Sequence, residues 1–230
     1  MDNLIGLGLY TPAEAGRLLH IPPAKISRWL RGHEIGGVHY APLWTSQIDL
    51  EDGHTYLGFR DLMEARVVDK FIGLGMSAQR VRAAIALARE VLGDDRPLST
   101  NRFRTDGRDI FLNVVEADEQ GREREKLLNL FKRQYEFKQF IDPLLKTIGF
   151  DNRGAPLQWW PIGKRGHIVV DPNRAFGQPI VNETSVPTAV LDAAGRQEGV
   201  AAAARLYDVP PAAIKRAMQF ESDLQPRASA

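Results

Sequence analysis

The chain has 230 residues, 43% hydrophobic and 26% charged, with 30 basic against 29 acidic side chains and a formal net charge of +1. This is an ordinary globular mixture, sufficient for one large domain or two to three small ones, and its charge balance means that any nucleic-acid contact must come from local clustering. The absence of cysteine excludes disulfides, thiolate metal sites and thiol redox chemistry; no apolar run approaches the roughly 20 residues of a membrane span; and "MDNLIGLGLY" lacks a basic n-region, so a cytoplasmic location is expected.

In chain order, Thr11, Pro12 and Glu14 form a capping box with proline at the first helical position, predicting a helix through Leu19. Ala15 and Gly16 are small enough to admit a close neighbour. "HIPP" breaks the helix, and Pro23 opens a second one that Gly32 ends. In it Ile26, Trp29 and Leu30 fall three to four apart and predict a buried face, while Lys25, Arg28 and Arg31 recur on another. Short aromatic, turn-rich stretches at 38–44 and 55–57 predict a β-hairpin wing. Amphipathic helices are expected over 59–74 and 78–92. In "RFRTDGRDIFLNVVE" the pair Asp106-Gly107 is a type I′ turn signal and predicts a hairpin.

The longest helical pattern covers about 123–148, through Leu127, Leu130, Phe131, Phe137, Ile141, Leu144, Leu145 and Ile148, with Pro143 expected to kink or split it. "GFDNRGAPLQWWPIGKRGH" reads as a linker or edge segment. From Ile168 two short extended pieces precede helices at 188–194, 199–207 and 211–220, the last two separated by "DVPP". The expected fold class is mainly α with small β-hairpins: a winged helix-turn-helix with wing and helix pair over 1–115, a long helix and linker over 116–165, a second small helix-turn-helix-like domain over 166–221, and a flexible tail over 222–230.

The chemistry lies in the first helix pair. A helix-turn-helix reads DNA by laying its second helix in the major groove. Arg28 suits a guanine edge, which it can bond bidentately. Lys25 and Arg31 suit phosphates, Ser27 adds a short polar group, and His33 beside the wing suits the backbone. Thr11 and the first amides of its helix offer a further anion site. Elsewhere the five histidines are scattered without metal-ligand spacing, and no acid-base or nucleophile constellation stands out, so neither a metal, a cofactor nor catalysis is expected. Trp159-Trp160 reads as a junction plug or a base-stacking pair. The face Phe131, Tyr135, Phe137, Phe140 reads as core, or else as a dimer or toxin interface.

"YTPAEAGRLLHIPPAKISRWLRG" followed by "YLGFRDLMEARVVDKFIGLGMSAQRVRAAI" resembles the DNA-binding domain of MerR-type regulators, most closely at Tyr10, Thr11, Leu18, Leu19, Pro23 and "GMSAQRVR". It departs from them at Trp29, where tyrosine is usual. "VVDPNRAFGQPIVNETSVPTAVLDAA" and "VAAAARLYDVPPAAIKRAMQFE" resemble the domain of unknown function 433 found in VapB-type antitoxins, through Asp171-Pro172, Gly177-Gln178-Pro179, Thr184 and Val186-Pro187. Over about 9–221 the chain is similar to the larger antitoxins of this kind. That resemblance implies a type II toxin-antitoxin role: neutralising a PIN-like ribonuclease and repressing the shared operon by binding double-stranded operator DNA, as a homodimer or a toxin-antitoxin hetero-oligomer. Under it Lys164, Arg165 and Arg227 are candidates to contact the toxin, and Lys215 and Arg216 candidates for a second DNA contact. The alternative is a stand-alone MerR-like regulator whose C-terminal half binds a small effector.

Overall fold

The computed structural model describes residues 4–117 and 134–225. Two short helices open the chain, α1 (Pro12–Leu19) and α2 (Pro23–Arg31). The Thr11 hydroxyl accepts from the Glu14 amide, and the Glu14 carboxylate accepts in return from the Thr11 amide at 2.8 Å. Left-handed His20 (φ 56°) ends α1. A Cβ on Gly16 would lie 2.5 Å from the Ile21 carbonyl oxygen, so the turn into α2 requires glycine there.

Strands β1 (His33–Ile35) and β2 (Val38–Tyr40) form a hairpin. The hairpin therefore lies earlier than the predicted 38–44 and 55–57. Gly36 and Gly37 supply the two positive-φ residues that a tight hairpin turn needs. Leu57 instead bridges to Tyr10. Helices α3 (Phe59–Gly73) and α4 (Ala78–Leu92) follow as the apolar spacing predicts.

The hairpin expected around Asp106-Gly107 is a helix, α5 (Phe103–Ala117). Its apolar residues Phe103, Ile110 and Phe111 repeat at helical spacing and are buried. Phe111 stacks on Phe71 of α3 at 4.0 Å between ring centroids, and Phe103 meets Phe71 edge-on at 6.3 Å. Gly107 is the bare patch of helix on which the Phe103 ring lies: a Cβ there would be 2.5 Å from that ring. Tertiary packing thus overrides a local turn signal.

Of the predicted long helix, α6 (Gln134–Leu145) is described, and Leu127, Leu130 and Phe131 lie outside the described residues. Pro143 does not split the helix; α6 ends two residues beyond it, and Ile148 opens β3 (Ile148–Phe150) instead of extending α6. The stretch expected as linker or edge supplies β3 and β4 (Pro156–Trp159), which join β5 (Ile168–Val170) and β6 (Pro179–Val181) in an antiparallel sheet ordered β3-β4-β5-β6, with β3 at an edge. This sheet straddles position 165. Three helices close the chain: α7 (Thr188–Glu198), α8 (Val200–Leu206) and α9 (Pro211–Asp223). The alanine-rich sequence lets them approach closely, since a Cβ on Gly195 of α7 would lie 2.7 Å from the Met218 sulfur of α9.

The architecture is mainly helical with two small antiparallel sheets. One hydrophobic cluster runs without interruption from Tyr10 and Ile26, through Phe59 and Phe111, to Ile168, Ile214 and Leu224. Strands β5 and β6 are buried on both faces, and Trp160, Val169 and Ile180 form a second small cluster on the far side of the sheet. Among the described residues no helix is long and apolar enough to cross a membrane.

Candidate nucleic-acid interface

The predicted reading helix is anchored as its spacing implies. Ile26, Trp29 and Leu30 of α2 are buried, each worth about 1.5–3 kcal/mol of apolar burial. Trp29 packs against Trp44 with ring centroids 6.5 Å apart, and its carbonyl accepts from the Leu43 amide at 2.7 Å. Trp44 is in turn held by Asp61, a fully buried carboxylate on the first turn of α3. Asp61 accepts from the Trp44 indole (3.1 Å), the Ser46 hydroxyl (3.2 Å), the Gln47 and Gly58 amides (2.7 and 2.9 Å) and Arg96 Nε (2.6 Å). Five donors around one charge make this the knot that fixes the 44–58 segment behind α2. Its only mark in the sequence is an acidic residue in the first turn of α3.

The cations of α2 differ in their commitments. Arg28 is exposed, and its side chain has no hydrogen bond or ion pair among the described residues. Ser27 beside it is partly exposed. Lys25 pairs with Asp69 of α3 at 2.8 Å and lies 5.2 Å from the Trp29 ring centroid. Arg31 donates to the Gly53 carbonyl at 2.8 Å and to the Thr55 hydroxyl. That loop is stiffened by Asp52, which accepts from the His54 amide (2.9 Å) and the Tyr56 phenol (2.7 Å) and is held below the usual carboxylate range by these bonds. His33 stacks on Tyr40 across the hairpin at 4.9 Å. At the start of α1 the Glu14 carboxylate already takes the Thr11 amide and hydroxyl. Arg82 of α4 donates to the Pro42 carbonyl at 3.2 Å and braces the chain just after the hairpin.

Among the described C-terminal candidates, Arg216 meets a carboxylate, that of Glu183. Lys164 and Arg165 are exposed on a single 3-10 turn (Lys164–Gly166), followed by His167, which pairs with Glu183. The other Glu183 oxygen faces Arg216 of α9 at 3.7 Å. Partial burial raises the Glu183 carboxyl, but its own backbone amide, His167 and Arg216 outweigh this and hold it low. Lys215 is exposed beside Arg216. Arg227 lies outside the described residues, as does Phe131 of the aromatic face; Phe140 is partly buried, with Lys70 Nζ 5.3 Å from its ring centroid. Trp159 and Trp160 are buried, and the Arg66 guanidinium of α3 stacks over the Trp159 ring of β4 at 4.5 Å.

Among the described residues no three His, Asp or Glu side chains are grouped to hold a metal. No family model matches the chain. It is 28% identical, over 191 residues, to a Mycobacterium tuberculosis protein named "Putative antitoxin VapB45", covering 79% of this chain and 80% of that one. Its fold is similar to that of the crystal structure of Rv2018 from Mycobacterium tuberculosis, with a TM-score of 0.73 and 25% identity, covering 93% of this chain and 99% of that one. The first of these is a likeness to a protein named as a putative antitoxin, the second a likeness of fold.

Proposed function

We propose that this protein is the antitoxin of a type II pair, a binding protein without catalysis of its own, which neutralises a PIN-like ribonuclease and represses its operon by binding operator DNA. The observation that carries the DNA half is Arg28: an exposed guanidinium with no internal partner, on a helix whose opposite face is locked into the core. A guanidinium left unpaired on a rigid helix is preorganised for a base edge or phosphate, whereas one already bonded must give up its partner first. Lys25 and Arg31 are of that second kind. The hairpin β1–β2 then serves as the wing. Acting as a dimer, two copies of α2 would read half-sites one helical turn apart.

The toxin half rests on the likeness to VapB45 and on the exposed Lys164 and Arg165. A PIN-type nuclease gathers carboxylates around a divalent ion, and cations presented to that cluster would compete for it. Thr11 has no part in the interface, because Glu14 already occupies its donors.

The test is fluorescence anisotropy on the DNA upstream of the gene, together with co-expression of the neighbouring reading frame. Arg28→Ala should lose about 1–3 kcal/mol on the specific site. The neighbouring product should arrest growth alone and be rescued, in a stable complex, by this chain. Parental affinity in Arg28→Ala would remove α2 from the interface.

A further inference from the structure

We propose, resting on the antitoxin reading above, that the face where residues 4–10 cross the C-terminal unit docks the ribonuclease toxin, over the basic path along which that enzyme holds RNA. Ile5 and Phe176 are the two most exposed large apolar side chains among the described residues, at 78% and 69%. Both stand at this crossing. The Leu9 amide donates to the Phe176 carbonyl at 3.1 Å, and a Cβ on Gly6 would lie 2.8 Å from Asn173 Oδ1. Two clefts adjoin the crossing strip. One, of about 490 Å³, is lined by Leu9, Phe176, Pro179 and Pro187; the other, of about 520 Å³, by Leu4, Leu7, Ile48 and Leu50.

Phe176 is held in water against its own preference. Its φ of 53° and ψ of 28° are left-handed, a region that bulky side chains avoid, and Ala175 and Gly177 on either side also have positive φ. The turn keeps this form because its carbonyls are bonded from outside, that of Phe176 by the Leu9 amide and that of Gly177 by the Tyr10 phenol. An aromatic ring on a backbone already fixed is the kind of anchor that carries a protein interface, since less freedom remains to be lost on contact.

Charge selects the occupant. Glu14 lines the first cleft, and Asp49 and Glu51 line the second. Asp52 accepts from the phenol of Tyr56, which also lines the first. All four carboxylates are exposed, and none makes an ion pair among the described residues. Arg17, the one cation among the described residues that lines either cleft, is already bound to Glu221. The whole chain is balanced at +1, so this acidity is local. Duplex phosphates are repelled by such a face, which argues against DNA as its occupant. A ribonuclease needs cations along its RNA path and flat shelves for the bases. Carboxylates beside the exposed Phe176 ring and the half-buried Tyr56 ring offer that path what a single strand offers it.

The test measures binding of the full chain to the product of the neighbouring reading frame by biolayer interferometry, with a thermal melt of each free variant. Phe176→Ala should weaken the complex about 10- to 100-fold. Phe176→Gly, which suits a positive φ, should weaken it as much while raising the melting temperature of the free chain, so loss of fold cannot imitate loss of contact. Glu14→Gln, Asp49→Asn and Glu51→Gln combined should slow association about tenfold at low salt and much less at high salt. Total cellular RNA, added in EDTA so that it is held but not cut, should compete with the chain. If the parent does not bind that product, the antitoxin reading falls and this surface with it. If the parent binds and all three variants match it, or RNA leaves the complex untouched, the reading stands and the surface is overturned. Conversion of a free-chain dimer to monomer by Phe176→Ala, with toxin affinity unchanged, would assign the face to a second copy and overturn it equally.

Discussion

The Tyr10 phenol donates a hydrogen bond to the Gly177 carbonyl at 2.8 Å, joining residues 167 positions apart in the chain. Tyr10 is 2% exposed, and burial, then Asp171 and Glu14, push its hydroxyl far above its ordinary range, so it remains a donor at every working pH. Nearby, the Leu9 amide donates to the Phe176 carbonyl at 3.1 Å, and Arg17 of α1 pairs with buried Glu221 of α9 at 2.9 Å. The helix pair at one end of the sequence is thereby seated on the helices at the other.

Gly177 cannot be replaced at this seat. Its φ is +81°, and a Cβ would lie on top of the Tyr10 hydroxyl. Gly177→Ala should cost about 1–3 kcal/mol from the backbone alone. Tyr10→Phe should cost a similar amount by stranding the Gly177 carbonyl. The double variant should be less unstable than the sum, because removing the hydroxyl relieves the overlap. Urea unfolding of the four proteins checks this; strict additivity would contradict the contact.

Asp61→Ala removes the acceptor from five donors and leaves Arg96 without its counter-ion. The expected loss is about 3–5 kcal/mol. Asp192→Ala, which breaks the exposed pair with Arg196 on α7, should cost about 1 kcal/mol or less. Denaturant midpoints of the two variants give the comparison.

Glu64 on α3 is buried beside the same knot, and desolvation pushes its carboxyl up to about 8 despite the Ser99 amide at 2.8 Å and the nearby Arg96 and Arg60. The folded state thus binds a proton that the unfolded chain releases near 4.5. This contribution to stability is complete below that pH and is lost as pH rises through 8. Glu64→Gln keeps a neutral acceptor and does not titrate. Relative to it, the parent should lose stability on the order of a few kcal/mol between pH 5 and 9, and thermal melts across that range measure it.

Asp69→Asn frees Lys25 from its ion pair. If α2 lies on the duplex, Lys25 then has a phosphate within reach, and the slope of log affinity against log salt should steepen by about 0.9. Anisotropy at four salt concentrations resolves that change. An unchanged slope would place Lys25 away from the phosphates.

Much of this arrangement was legible in the residues themselves. Thr11, Pro12 and Glu14 declared the start of α1, the spacing of Ile26, Trp29 and Leu30 declared the buried face of α2, and 78–92 matched α4 at both ends. The failures share a cause. Asp106-Gly107 is a turn signal only where nothing packs on the glycine, and here the Phe103 ring does. Aromatic content points to a hairpin over 38–44 and 55–57, whereas Gly36 and Gly37 set it earlier, between β1 and β2. Which cations stay unengaged was beyond any pattern, since the partners of Lys25 and Arg31 come from 44 and 22 residues away. The Arg66–Trp159 pairing likewise exists only because α3 and β4 meet.

The seat formed by Tyr10, Gly177, Arg17 and Glu221 has a geometric corollary. A reader domain on a loose tether can sample many bearings, and whatever rides on the other end drifts independently. Here both ends turn as one piece, so if α2 lies on a duplex, its angle of approach also sets the compass heading of α7, α8 and α9. Any cargo carried on those helices would arrive at the double helix in a single pose.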